Sequence, residues 1–245
     1  MMEMIHFRRR LEGKQLMWEI RIMLWTSLQR CVGIPLLLAA LFASSGCTHE
    51  PALRRSPPTT SHLEAIERQI NAYIPDSRYP DDFFVLATLR EALRGARERN
   101  GGIGACLVEK ATGRIVEGGH NSQYEPYFRS DLHAEMDLLT RYEERMRISR
   151  SRNPDDPTYR NPRRMEGLVL YSSLEPCPMC LTRIINAGVK EVYYAAPDKN
   201  GGMASRIDDL PPFWKAMARN MLIAPARCSP ELAAIAADLF RPMVP

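Results

Sequence analysis

An α/β fold, with helices packed on the faces of a central sheet, is predicted by three observations. Apolar residues recur at helical spacing in two early segments. Short β-forming runs then alternate with helical segments from residue 103 to residue 196, and Gly or Pro stands between most of them. His62 to Tyr73 carries Leu63, Ile66 and Ile70 on one helical stripe, and Asp81 to Arg99 carries Phe84, Leu86, Leu89 and Leu93. The Asp81-Asp82 pair suits a helix N-terminus, where carboxylates complement the macrodipole. Asn100-Gly101-Gly102 breaks the pattern. Ile103 to Glu109 then reads as a strand, Ala111 to Arg114 as a turn and Ile115 to Gly118 as a second strand, so the pair is expected to form a hairpin.

Asp131 to Arg147 is predicted helical, with Leu132, Met136, Leu139 and Met146 facing the core. Gly167 to Ser172 reads as a strand, Pro178 to Ala187 as a helix and Glu191 to Ala196 as a strand. Two further helices, expected around Phe213 to Leu222 and Glu231 to Phe240, would pack on the sheet or cover a pocket. Between Ile148 and Met165 lies a stretch of Arg, Asn, Asp and Pro that reads as a surface loop or insertion. Its arginines could touch phosphates, but a solvated loop is the plainer reading.

With 245 residues, 45% of them hydrophobic, the chain has room for one well-buried domain and appendages. The formal charge of +4 resides mostly in the leader. The stretch before Cys47 holds six Lys/Arg against three Asp/Glu, so of 33 basic and 29 acidic residues the rest keeps 27 and 26. A near-neutral body offers no general electrostatic attraction for nucleic acid or acidic membranes.

Residues 1–47 read as a leader. Val32 to Phe42 is almost unbroken apolar sequence, preceded by Arg21 and Arg30 and followed by Ala43-Ser44-Ser45-Gly46-Cys47. That order of charge, apolar run and small residues is the order of a secretory signal, and the run is short of the roughly 20 residues a span needs. Small residues before a cysteine resemble the bacterial lipoprotein signal, although Ser44 stands where Leu is usual. On that reading Cys47 becomes the lipid-anchored first mature residue in the cell envelope or periplasm. A start at Met23 would make the signal compact. The alternative is a cytoplasmic protein in which the run is a buried helix. Residues 48–61, rich in Pro, Ser and Thr, read as a linker, and residues 62–245 as one domain.

Of the six cysteines, only Cys177 and Cys180 form a Cys-x-x-Cys pair. His133-Ala134-Glu135 and Pro176-Cys177-Pro178-Met179-Cys180, each at a predicted helix start, together match the H-x-E…P-C-x-x-C signature of zinc deaminases. Cysteines three apart project from one helical face and can grip one ion, while His133 adds a nitrogen from another helix. Three protein ligands leave a tetrahedral position open, as in catalytic zinc sites. Glu135, two residues beyond the histidine, points elsewhere and suits a proton shuttle between water, a ring nitrogen and a departing amine. A structural zinc knuckle or a redox pair would explain Cys177 and Cys180. The first lacks a second Cys pair, and the second leaves His133-Ala134-Glu135 unexplained.

The run Leu174-Glu-Pro-Cys-Pro-Met-Cys-Leu-Thr-Arg-Ile-Ile-Asn-Ala-Gly188 resembles the cytidine and deoxycytidylate deaminase superfamily, within it the branch of guanine and tRNA adenosine deaminases. The similarity covers about residues 83–197. It implies a three-layer α/β/α fold with a central mixed sheet, a Zn²⁺ cofactor held by His133, Cys177 and Cys180, and Glu135 as catalytic residue. It also implies substrate contacts at Asn121 and Ala134, and a homodimer. Two features depart from that branch: Ser130-Asp131-Leu132 stands where Asp-Pro-Thr-Ala is common, and the Ile148 to Met165 stretch lengthens the spacing between the half-motifs.

The expected function is hydrolytic deamination of a free base, nucleoside or nucleotide with release of ammonia. The alternatives are deamination of a base within RNA or DNA, and a non-catalytic envelope lipoprotein that keeps a zinc fold. Export would argue against a tRNA substrate.

Overall fold

The computed structural model describes residues 59–152 and 165–240. The leader, most of the linker and the greater part of the Ile148 to Met165 stretch lie outside the described residues.

Helix α1, Thr60–Ala72, starts where the Thr59 hydroxyl accepts the His62 amide at 3.3 Å, two residues before the expected domain boundary. Its stripe of Leu63, Ile66 and Ile70 is buried against α2, Asp82–Arg97, which contributes Leu86, Leu89 and Leu93. Fully burying one such side chain stabilises the fold by about 1.5–3 kcal/mol. Strands β1 (Gly104–Glu109) and β2 (Arg114–His120) form the expected antiparallel hairpin, with an irregular register beside Leu107 and Val108. Helix α3 (Ala134–Arg152), strand β3 (Leu168–Leu174), helix α4 (Pro178–Ala187) and strand β4 (Glu191–Ala196) follow.

The five-stranded sheet runs β2-β1-β3-β4-β5, where β5 is Leu222–Pro225. Strand β1 is antiparallel to both of its neighbours, whereas β3, β4 and β5 are parallel, which makes the sheet mixed. Alternate residues face opposite layers. Cys106, Val108, Val169 and Tyr171 pack toward Phe84 and Ala87 of α2. Ala105, Leu107, Leu170 and Val192 pack toward Leu138 and Leu139 of α3 and Ile184 of α4. The last helix, α6 (Pro230–Leu239), joins the α2 layer through Leu232, Ile235 and Leu239. The fold is therefore three-layered, α/β/α. Close approach of α2 to the sheet requires Gly104, because a Cβ there would stand 2.2 Å from the Thr88 carbonyl oxygen.

Three expectations need correction. The segment 213–222 is not one helix: α5 spans Pro212–Ala218, and Leu222 opens β5, whose carbonyls and amides pair with β4. The expected loop after Arg147 begins later, because α3 continues to Arg152, and Met165 at the far end is buried. Asp81 and Asp82 do more than complement a dipole. Both are buried, and Asp81 accepts the Tyr171 hydroxyl at 3.0 Å and the Arg227 amide at 2.7 Å. Asp82 accepts the Tyr73 hydroxyl at 2.6 Å and the Ser229 amide at 2.8 Å, so the pair ties the start of α2 to the segment entering α6.

Candidate active site

Two helix starts meet at the sheet's end. The His133 carbonyl accepts the Asp137 amide at 2.9 Å, which puts His133 at the N-cap of α3. Cys177 is the N-cap of α4, with Pro178 in the first turn, where its fixed φ suits a helix and no amide is lost. Gly188 closes α4 in the left-handed conformation, with φ 81°. Cys180 lies one turn into α4 and is buried.

The Nδ1 atom of His133 is 3.7 Å from Cys177 Sγ and 3.6 Å from Cys180 Sγ, and the three donor atoms lie within 4.8 Å of one another. An ideal tetrahedral zinc, with Zn–N near 2.05 Å and Zn–S near 2.3 Å, sets nitrogen and sulfur about 3.6 Å apart. The donors thus already stand at ligand spacing. Among the described residues, no other group of three or more His, Cys, Asp or Glu has this geometry.

The charges of the three groups fit a cation. The Cys177 thiol is pulled down to about 4 by the hydrogen bond from Cys180, with the bond from His133 adding to it. The same interactions push the other two the opposite way: His133 is raised chiefly by its bond to Cys177, and Cys180 by Cys177 and then by burial. Cys177 is the member of the group most inclined to ionise. Metal ligands must be deprotonated, so a divalent ion bound here would displace protons from the group. The dipoles of α3 and α4 favour thiolate at their N-termini.

Glu135, on the first turn of α3, is only 3% exposed. Burial is the first cause that raises its carboxyl above the ordinary range, and the Cys177 charge is the second. Its Oε1 accepts the hydroxyl of Ser172, on β3, at 3.1 Å. The structure therefore brings His133, Cys177, Cys180 and Glu135 together.

Asn121 and Ala134 are placed differently. Asn121 follows β2 and opens the loop that returns to His133, and the Ser122 amide donates to the Leu132 carbonyl at 2.9 Å across it. Its side chain is buried. Its Nδ2 donates to the Asn100 carbonyl, while Oδ1 has no partner among the described residues. The Ala134 methyl packs in the core with Leu107 and Leu138, so only its backbone can face a ligand.

Glu175, which the sequence reading passed over, is buried two residues before Cys177. Its Oε1 accepts the Ser205 amide at 2.7 Å and its Oε2 the Asp198 amide at 3.1 Å, holding the loop after β4 beside the site. Its place inside the Leu174 to Gly188 run, directly before Pro176-Cys177, was the available signal.

The profile described as cytidine and deoxycytidylate deaminase zinc-binding region matches residues 79–196. The tRNA-specific adenosine deaminase of Bacillus subtilis (strain 168) is 30% identical over 130 residues, 53% of this chain and 70% of that protein. That of Aquifex aeolicus (strain VF5) is 30% identical over 125 residues, 51% of this chain and 72% of that protein. The chain belongs to the cytidine and deoxycytidylate deaminase superfamily. A second profile, MafB19-like deaminase, matches residues 159–241 of this deaminase. A solved guanine deaminase from Nitrosomonas europaea is similar at a TM-score of 0.45 and 17% identity, covering 79% of this chain and 98% of that one. The deaminase is a zinc-dependent hydrolase, and its His/Cys/Cys group has the donors and spacing to bind the ion.

Proposed function

We propose that this deaminase replaces the exocyclic amine of a nucleobase ring with oxygen, using His133, Cys177 and Cys180 as zinc ligands and Glu135 as the proton carrier. When bound, zinc supplies a Lewis acid that lets water act as a nucleophile near neutral pH. Glu135 accepts a proton from that water, passes it to a ring nitrogen beside the aminated carbon, and then serves the departing amine. The sum is water and amine in, carbonyl and ammonia out. Asn121, through its unpaired Oδ1, accepts an N–H or O–H of the substrate, which satisfies an acceptor that is costly to leave buried alone. The Ala134 amide, in the first turn of α3, lacks an intrahelical acceptor and donates to the bound base.

The observation that carries this reading is the buried Glu135 carboxyl beside three donors at tetrahedral spacing. A metal site that served only to staple the fold would have no use for it. The test is ammonia release by zinc-loaded protein and by Glu135→Gln across guanine, adenine, cytosine, their nucleosides and nucleotides. We expect the variant to keep zinc and melting temperature and to lose ammonia release. Undiminished release would remove Glu135 from the mechanism.

A free base, nucleoside or nucleotide is the first expectation for the substrate. A base within RNA is the second reading, favoured by the similarity to tRNA-specific adenosine deaminases and by Tyr127 and Phe128. Those rings are 65% and 63% exposed on the loop between Asn121 and His133, where a flanking base could stack. Including a single-stranded RNA hairpin in the substrate panel separates the two. Export with lipid attachment at Cys47 belongs to the first reading, and mass spectrometry of the membrane-associated protein tests it. A homodimer is expected in either case, and sedimentation measures it.

A further inference from the structure

Ser172 lies in the middle of β3, paired to Ala105 of β1 on one side and Tyr194 of β4 on the other. It is wholly buried, and its backbone is therefore fixed from both edges. The Leu174 amide points at its Oγ from 3.4 Å, occupying acceptor capacity and leaving the hydroxyl proton for another partner. That partner is Oε1 of Glu135, 3.1 Å away on the opposite layer. A glutamate side chain has three rotatable bonds, and the Glu135 carboxyl meets its own backbone amide and the Cys180 thiol on the helix side. The Ser172 hydroxyl adds a donor fixed in the sheet, outside α3 and the His/Cys/Cys group.

We propose that Ser172 is the positioning residue for Glu135: by donating to Oε1 it orients the carboxyl group and assigns proton transfer to Oε2. This rests on the reading of Glu135 as proton carrier. Ser172 is not among the grouped His/Cys/Cys donors. It acts by holding the carboxyl where the proton must arrive, and proton transfer is steep in such geometry.

The test compares zinc-loaded wild type with Ser172→Ala and Ser172→Thr, the latter keeping a hydroxyl on a residue suited to a strand. For Ser172→Ala we expect kcat to fall about 10- to 100-fold, as a misplacement near 1 Å costs, with KM changed less than about twofold. Zinc per chain should stay the same, and Ser172→Thr should restore most of kcat. A crystal structure of zinc-loaded Ser172→Ala should show the three metal ligands superposed on wild type and the Glu135 carboxyl displaced. Unchanged kcat, an undisplaced Glu135 carboxyl, or a loss of kcat accompanied by loss of zinc overturns the proposal. So does a folded, zinc-loaded Thr variant as slow as Ala. The crystallographic comparison needs no turnover. If wild type releases ammonia from no base at all, the reading of Glu135 fails, and the carboxyl's position still decides the role of Ser172.

Discussion

The side-chain Oδ1 of Asn100 accepts the backbone amides of both Tyr124 and Glu125 at 2.7 Å, and Asn100 is 2% exposed. Its own carbonyl accepts Asn121 Nδ2. One residue thus holds both ends of the turn that opens the loop to His133. Asn100→Ala leaves two amides without their acceptor, which costs about 1–3 kcal/mol where water cannot replace it. At about 2–4 °C per kcal/mol for a domain of this size, the melting temperature should fall by roughly 2–12 °C. The KM of the best substrate should rise more than kcat falls, because Asn121 shifts while the metal ligands stay on their helices. Asn100→Asp keeps the acceptor and should lose less. Equal KM for Ala and wild type would detach this turn from substrate binding.

A carboxylate pair bracketing a buried histidine makes stability depend on pH from both sides. Nδ1 of His120 lies 3.2 Å from Glu91 and Nε2 lies 2.9 Å from Glu98, so both nitrogens face acceptors. His120 is raised above its ordinary 6.5, first by the hydrogen bond to Glu91 and further by Glu98, against burial. Glu91 is lowered from 4.5, first by His120 and then, against burial, by Arg94. Arg141 and Asp137 complete the charged surroundings. A raised histidine stabilises the fold fully below pH 6.5, and the contribution is lost as pH rises through its folded value. A lowered glutamate contributes above pH 4.5, and that contribution is lost as pH falls through its folded value. Melting temperature against pH should therefore show a plateau between these limits. His120→Gln should flatten the alkaline side and weaken the acid side. An identical alkaline slope in the variant would show that His120 is not charged in the folded protein.

The His/Cys/Cys group was legible because each half of its signature is local, although His133 and Cys177 meet across 44 positions. Cys177 and Cys180 are one helical turn apart, Pro178 and Gly188 mark where that helix begins and ends, and Glu135 is two residues from His133. What supports the site was not legible. Ser172 meets Glu135 across 37 positions and Asp82 meets Ser229 across 147, and no spacing rule connects residues on different layers of a fold. Strand β5 was missed for a different reason. Leu222–Pro225 is four residues long, half exposed, and separated from the preceding helix by only three residues, so it has neither the length nor the alternation that betrays a strand. Tertiary pairing with β4 decides it. Glu175 was passed over because the amides it accepts, of Asp198 and Ser205, lie 23 and 30 positions away.

At the other end of the sheet, the outer edge of β2 pairs with no strand among the described residues, and an unpaired edge invites another chain to add to it. Helix α3 covers this edge with two arginines one turn apart. Arg145 donates to the Val116 carbonyl at 2.8 Å and Arg141 donates to the Gly118 carbonyl, so alternate acceptors of the strand are already taken. Ion pairs of 3.2 Å from Arg145 to Glu117 and from Arg141 to Asp137 hold the guanidinium groups over the strand. Exposed pairs of this kind add little to stability, about 0–1 kcal/mol each. Their weight falls on what the edge can bind. Replacing both arginines by alanine should therefore leave the melting temperature nearly unchanged while raising self-association with concentration, measured by sedimentation velocity at equal loading. Matching sedimentation profiles for the double variant and wild type would mean that the arginines do not protect the edge.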